Sequence, residues 1–147
     1  KYVEKVNQKE FMKPTSRSYE TVSNAVRDKL VCVKLEFFCL VASILLPFLT
    51  NYQSDKPLVP FLAADLAEII RCLMKRFIKS EIIDTANTCE KLCGIDILNK
   101  ENHSTYSKID IGLAAEEKLK RVGCSDKQIM EFKMQCKEFL ISVWKKC

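Results

Sequence analysis

Glycine is almost missing from this sequence, with three in 147 residues. A β-sandwich or barrel turns often and draws on glycine to do so, and strict alternation of apolar and polar residues is scarce as well. Both shortages exclude those folds. The glycines present, Gly94, Gly112 and Gly123, stand far apart, so no glycine-rich loop can cradle a phosphate at a helix start. Histidine occurs once. His103 lies in the least regular part of the chain with no nucleophile motif beside it, which leaves a Ser-His-Asp or Cys-His arrangement without support. Neighbouring carboxylates such as Glu116 and Glu117 point in different directions on a helix and read as solvated surface. No catalytic residue and no cofactor is assigned, and the segment reads as non-enzymatic.

Other scarcities bound the partners. The longest apolar run, residues 37–49, is shorter than the roughly 18 residues that cross a bilayer, and Pro47 interrupts it. The expectation is a buried core helix and no membrane. The chain opens at Lys1 and shows no cationic start followed by an apolar core and cleavage site, so it carries no secretory signal and is expected to be a piece of a longer protein. Basic and acidic side chains number 24 and 19, for a net charge of +5. That mild excess supports nucleic-acid contact only where cations gather on one face. The candidates are Lys75, Arg76 and Lys79, then Lys118, Lys120 and Arg121, each weighed against an ordinary solvated helix face.

Cysteine, by contrast, is abundant at eight residues. Cys32, Cys39, Cys72 and Cys136 fall within apolar helical patterns, where a thiol packs as a small hydrophobe rather than as part of a disulfide framework. Cys89 and Cys93 make the only close pair, and no second pair completes a tetrahedral zinc set, so no metal site is assigned. Cys124 and Cys147 are expected to be exposed.

A chain of this length buries roughly two thirds of its unfolded surface without metal or disulfide help, so residues 1–147 should form a single helical domain. The periodicity predicts an irregular bundle of about five to seven helices around a buried central hairpin. Its first arm, ending in the run 37–49, is apolar on nearly every side and needs neighbours on more than one flank. Pro47 should kink it or end it near Thr50. Pro57 and Pro60 bar a continuous helix across the linker, and Pro60 suits the first turn of the second arm. There Leu62, Leu66, Ile69, Leu73 and Phe77 recur at steps of three and four.

Outside the hairpin, Tyr2, Val3, Val6 and Phe11 suggest the tail of a first helix. The run Thr15-Ser16-Arg17-Ser18 supplies N-cap candidates for a second, with Tyr19, Val22, Ala25 and Val26 on one face. A short helix over 80–87 should turn Ile82, Ile83 and Ala86 inward. Residues 91–106 read as an extended connector anchored by Ile95, Ile97 and Leu98, with 95–98 able to pair as a short strand. A helix starting in 107–112 should stop before Gly123, a natural C′ residue. The last helix opens on the capping box Ser125 and Gln128 and buries Ile129, Phe132, Cys136, Phe139 or Leu140, and Val143.

The ordered set Ser18-Tyr19-Glu20-Thr21-Val22, Asp28, Lys34-Leu35-Glu36-Phe37-Phe38, Pro47-Phe48-Leu49-Thr50, Tyr52-Gln53-Ser54-Asp55-Lys56-Pro57 and Pro60-Phe61-Leu62 resembles a stretch of transposase-derived animal proteins of the hAT type. Leu73-Met74-Lys75-Arg76-Phe77-Ile78-Lys79, Asp110-Ile111-Gly112, Glu131-Phe132, Cys136 and Phe139-Leu140 continue the order. The resemblance covers nearly the whole chain. It implies a helical insertion that interrupts an RNase H-like core, with the core's acidic residues lying outside this segment. It also implies an intracellular, nuclear setting.

Two functions follow as expectations. One is a scaffold of a transposase-derived protein that helps hold DNA or a second subunit, with Lys75, Arg76 and Lys79 on phosphate. The other is a protein-interaction domain without a nucleic-acid role, engaging a partner helix or a second copy through Phe48, Tyr52 and Phe61.

Overall fold

A computed structural model describes residues 2–8, 12, 14–55 and 57–145; the side chains of Tyr2 and Asn7 lie outside that description, as do Phe11 and Cys147. The fold is all-α. Among the described residues the chain forms α1 (Tyr2–Asn7), α2 (Arg17–Arg27), α3 (Val31–Tyr52), α4 (Leu62–Met74), α5 (Ser80–Thr85), α6 (Cys89–Cys93), α7 (Leu113–Val122) and α8 (Asp126–Trp144), with short 3-10 turns between.

The first two helices make a small cluster of their own, in which Val3 and Val6 pack on Tyr19. Ser16 caps α2 by accepting from the Tyr19 N–H at 3.3 Å. Tyr19 and Ser23 are the residues α2 buries, whereas Val22 and Val26, expected on the inward face, are exposed. A partner as short as α1 covers only one narrow stripe of α2. Asp28 then turns the chain toward α3, accepting from the Leu30 N–H at 2.8 Å and pairing with Lys34 at 2.6 Å. The hydrogen bond from Lys34 comes first among the influences that hold its carboxyl below the usual aspartate range.

At 22 residues α3 is the longest element. It runs through Pro47 and ends at Tyr52, about a turn beyond the proline and within two residues of the expected Thr50. The missing N–H leaves the Ser43 carbonyl without its helical donor, but Ser43 and Pro47 both lie on the exposed side, where water can take that place. Beyond the linker, Pro60 sits in the first turn of a 3-10 segment, Val59–Phe61, that leads into α4. Tyr52 ties the hairpin together: its hydroxyl lies 3.1 Å from the Asp65 carboxylate and 3.4 Å from the Leu58 carbonyl.

The main core gathers Val33, Phe37 and Val41 of α3 with Met74 at the end of α4, Phe77 and Ile78 just after it, and Phe132, Cys136 and Leu140 of α8. The connector contributes more than expected. Ile97 is buried in it and Ile109 and Ile111 in the irregular stretch that continues to Gly112, whereas Leu98, expected as an anchor, is exposed; the backbone of this stretch is bonded to the segment that follows α4. The Lys79 N–H donates to the Asn102 carbonyl at 3.0 Å, Ser104 to Phe77 at 2.8 Å and Asp110 to Arg76 at 3.0 Å. These bonds bracket an isolated antiparallel bridge between Ile78 and His103, so the strand-like contact involves His103 rather than 95–98.

The helix expected to begin in 107–112 starts at Leu113, because Gly112 adopts a positive φ of 87° that breaks any continuation from the 3-10 turn at Tyr106–Lys108. Gly123, at φ 65°, closes α7 in the left-handed conformation of a C′ residue. Ser125 and Gln128 form the reciprocal capping box at the start of α8.

Candidate interaction surface

The cationic candidates do not converge. Lys75 caps the end of α4 and is exposed, but Arg76 turns inward, its side chain only 15% accessible and paired with Asp110 at 3.0 Å. Lys79 is exposed and shares a polar cavity of about 170 Å³ with Lys108, Ser104 and Thr105, whose lining also includes Glu81. Two lysines and one committed arginine are a poorer phosphate surface than three convergent cations would be. In the second cluster Lys118 pairs with Glu36 of α3, while Lys120 is exposed and Arg121, also exposed, lies 3.8 Å from Glu117. The hydrogen bond to Glu36 is the first cause of the raised Lys118 pKa.

The aromatic candidates are split. Phe48 and Tyr52, four residues apart on α3, stack with ring centroids at 4.5 Å and both are half-buried. Withdrawal from water, and then the neighbouring Asp65 carboxylate, raise the Tyr52 pKa. Phe48 also lines an apolar cleft of about 240 Å³ between α3, α4 and α8, with Leu49, Ile69, Leu73, Val143 and Trp144. Phe61 sits in the 3-10 turn across the linker, 59% exposed. The stacked pair serves chiefly to close the hairpin, and only Phe61 of the three presents its ring outward.

His103 is accounted for by structure. Its Nε2 lies 2.8 Å from the Ile97 carbonyl and its ring meets Phe77 edge-on at 5.9 Å, so it fastens the connector to the core. Cys89 and Cys93 sit one turn apart on α6, and among the described residues no three His, Cys, Asp or Glu side chains come together as a metal site requires. Withdrawal from water, followed by the hydrogen bond with Cys89, raises the Cys93 pKa. Burial pushes the Cys136 thiol up to about 12, which fits its place in the core. The other thiols correct the sequence reading. Cys32 and Cys39 are exposed rather than packed, Cys72 is half-buried, and Cys124, expected outside, is half-buried against the core.

Those two cysteines mark what sequence reasoning missed. The buried stripe of α3 is Val33, Phe37 and Val41; on the opposite side Leu35, Cys39 and Leu46 are exposed with half-buried Ala42 between them and Phe38 beside them, and Leu49 stands at the edge of the cleft shared with α4 and α8. Leu35 and Phe38 are each 58% exposed, Leu46 56% and Leu49 49%. Phe38 leans on Phe139 of α8 at 6.5 Å, and together with Lys34 and Gln135 they border an apolar recess of about 210 Å³. The expectation that α3 would be enclosed on nearly every side therefore meets a helix with one covered flank. α7, α4 and α8 occupy the inner side, and no long helix is left among the described residues for the outer one. By length and composition alone α3, unlike the shorter run within it, could also cross a membrane; the core helix of a soluble protein passes the same test but is mostly buried, whereas 17% of the apolar window of α3 is buried.

No family model, curated protein or solved structure matches this chain.

Proposed function

We propose that the chain is a non-catalytic helical interaction module of a transposase-derived protein of the hAT type, and that the outward flank of α3 is its working surface. The observation that carries this reading is the apolar stripe from Leu35 to Leu49, left open where a monomer would gain by covering it. The inner side supports a rigid platform: Val33, Phe37 and Val41 are locked in the core, and Glu36 is tied to Lys118 of α7. Pulling α3 into a bilayer would strip away that packing and desolvate the Glu36–Lys118 pair, so a protein partner is favoured over lipid. DNA contact is the weaker reading, because Arg76 is committed to Asp110.

Thiol footprinting tests the proposal. In an extract of cells expressing the chain, Cys39 on the flank should be shielded from alkylation while Cys89, exposed on α6, reacts. Equal labelling of the two would contradict the assignment of the flank as a contact surface.

A further inference from the structure

We infer that Cys89 and Cys93 of α6 form a two-sulfur site for a soft monovalent metal ion, copper(I), independent of the outward flank of α3. The two thiols stand four residues apart in a helix of five, so they lie one above the other on a single turn. Both are free and both are exposed, open to an ion arriving from solvent. Cβ atoms at that spacing are about 5–6 Å apart. Metal–thiolate bonds of about 2.3 Å let an ion midway between two sulfurs span about 4.6 Å. Rotation about χ1 closes that gap, and the two thiols are already in hydrogen-bond contact.

The turn that carries them is held on both sides. Thr88 caps it by accepting from the Lys91 N–H at 3.3 Å, and the Gly94 N–H donates to the Glu90 carbonyl at 2.9 Å. Leu92, between the two cysteines, is wholly buried and ties α6 to the core. Sulfurs placed in advance lose little freedom when an ion binds. The other thiols lack this arrangement. Cys32 and Cys39, also exposed, are seven residues apart in α3 and therefore about 10.5 Å apart along its axis, too far to share one ion. Cys136 is buried, and Cys72 donates to the Glu68 carboxylate.

The number of ligands selects the ion. Among the described residues no third His, Cys, Asp or Glu side chain joins the pair. Zinc takes four ligands in structural sites and three with a water in catalytic ones, so this pair leaves it half-coordinated. Copper(I) favours soft thiolates, and its filled d shell accepts two of them in line. Binding exchanges two S–H bonds for two S–Cu bonds: both protons pass to the buffer and copper stays in the +1 state, so no oxidant is consumed. Withdrawal from water, and then the hydrogen bond with Cys89, raise the Cys93 pKa, which disfavours the thiolate that attack on a disulfide requires. The pair is thus better suited to holding a metal than to redox exchange.

Anaerobic titration of the purified full chain with copper(I), supplied as its acetonitrile complex in competition with a chromogenic copper(I) chelator, should show one ion held per 16.9 kDa chain, with no rise in sedimenting mass on loading. Cys89→Ser and Cys93→Ser should each weaken retention by more than about 100-fold, beyond the 10–100-fold that loss of an outer-shell partner costs. A chain carrying both Cys32→Ser and Cys39→Ser should bind as the original does. All four changes fall on exposed side chains, and circular dichroism reads whether the helices persist. Because two protons leave, apparent affinity should rise about 100-fold per pH unit below the thiol range, and about tenfold in either single variant. Loading should protect Cys89 and Cys93 from alkylation while Cys32 still reacts. The chelator should restore both, and its presence keeps Cys89 open as the comparison thiol in cell extract. No ion retained against the chelator, retention that survives Cys89→Ser or vanishes with the Cys32 and Cys39 changes, zinc(II) held as tightly, or release of a single proton would each overturn the assignment. None of these results bears on the α3 flank, whose own test reads Cys39.

Discussion

Gly112 shows how a single residue can carry a constraint that spacing alone does not express. Its φ of 87° lies where side-chain-bearing residues are strained, and a Cβ built there would stand 2.6 Å from Leu40 Cδ2 of α3. The amide is held by the Asp110 carboxylate at 2.8 Å, so the turn has little room to relax. Gly112→Ala should therefore cost about 1–3 kcal/mol, read as a lowered midpoint in urea unfolding. Gly123→Ala, with open space around the missing methyl, makes the milder comparison. At this scale the sequence is legible where a residue's role is local: Ser16, Ser125, Gln128 and Gly123 all act within a few positions of themselves. It is opaque where the constraint comes from another element, as Leu40 imposes on Gly112 or Asp110 on Arg76.

Whole elements follow the same division. α2, α4 and α8 stand close to where caps and periodicity place them, and the Pro57–Pro60 linker interrupts the hairpin as their restricted backbones require. α6, with five residues, is too short to display a period; its one signal is Thr88, whose hydroxyl accepts from the Lys91 N–H. The burial of Ile97, Ile109 and Ile111 in an irregular connector has no periodic signature at all. Pro47, expected to kink α3 or end it near Thr50, lies inside a helix that continues to Tyr52. Phe48 and Tyr52 stack beyond it, and Tyr52 is anchored to the second arm, so continuing the helix preserves contacts that ending it would lose. Restoring the missing donor with Pro47→Ala should raise stability by about 1–3 kcal/mol, visible as a higher thermal midpoint. A fall would mean that the proline's rigidity matters more than its lost hydrogen bond.

Over the whole molecule, hydrophobicity says that α3 must be covered but not by what. An apolar run satisfies the same pattern whether its neighbours come from its own chain or from another, which is why the sequence places Cys32 and Cys39 in the core while the fold leaves them in water. The candidate site was legible only in part for the same reason. Of the bases and aromatics singled out by type, Arg76 is consumed by Asp110 and Tyr52 by Asp65, with Phe48 stacked on it, while Lys75, Lys79 and Phe61 stay exposed; the open apolar flank of α3 is built from residues that no chemical motif marks. The decisive quantity is the alkylation rate of Cys39 in an extract of cells expressing the chain, set against its rate in the purified chain. It should be lower in the extract while the rate at Cys89 is the same in both; equal rates at Cys39 in the two settings would contradict the claim that the outward flank of α3 is a contact surface.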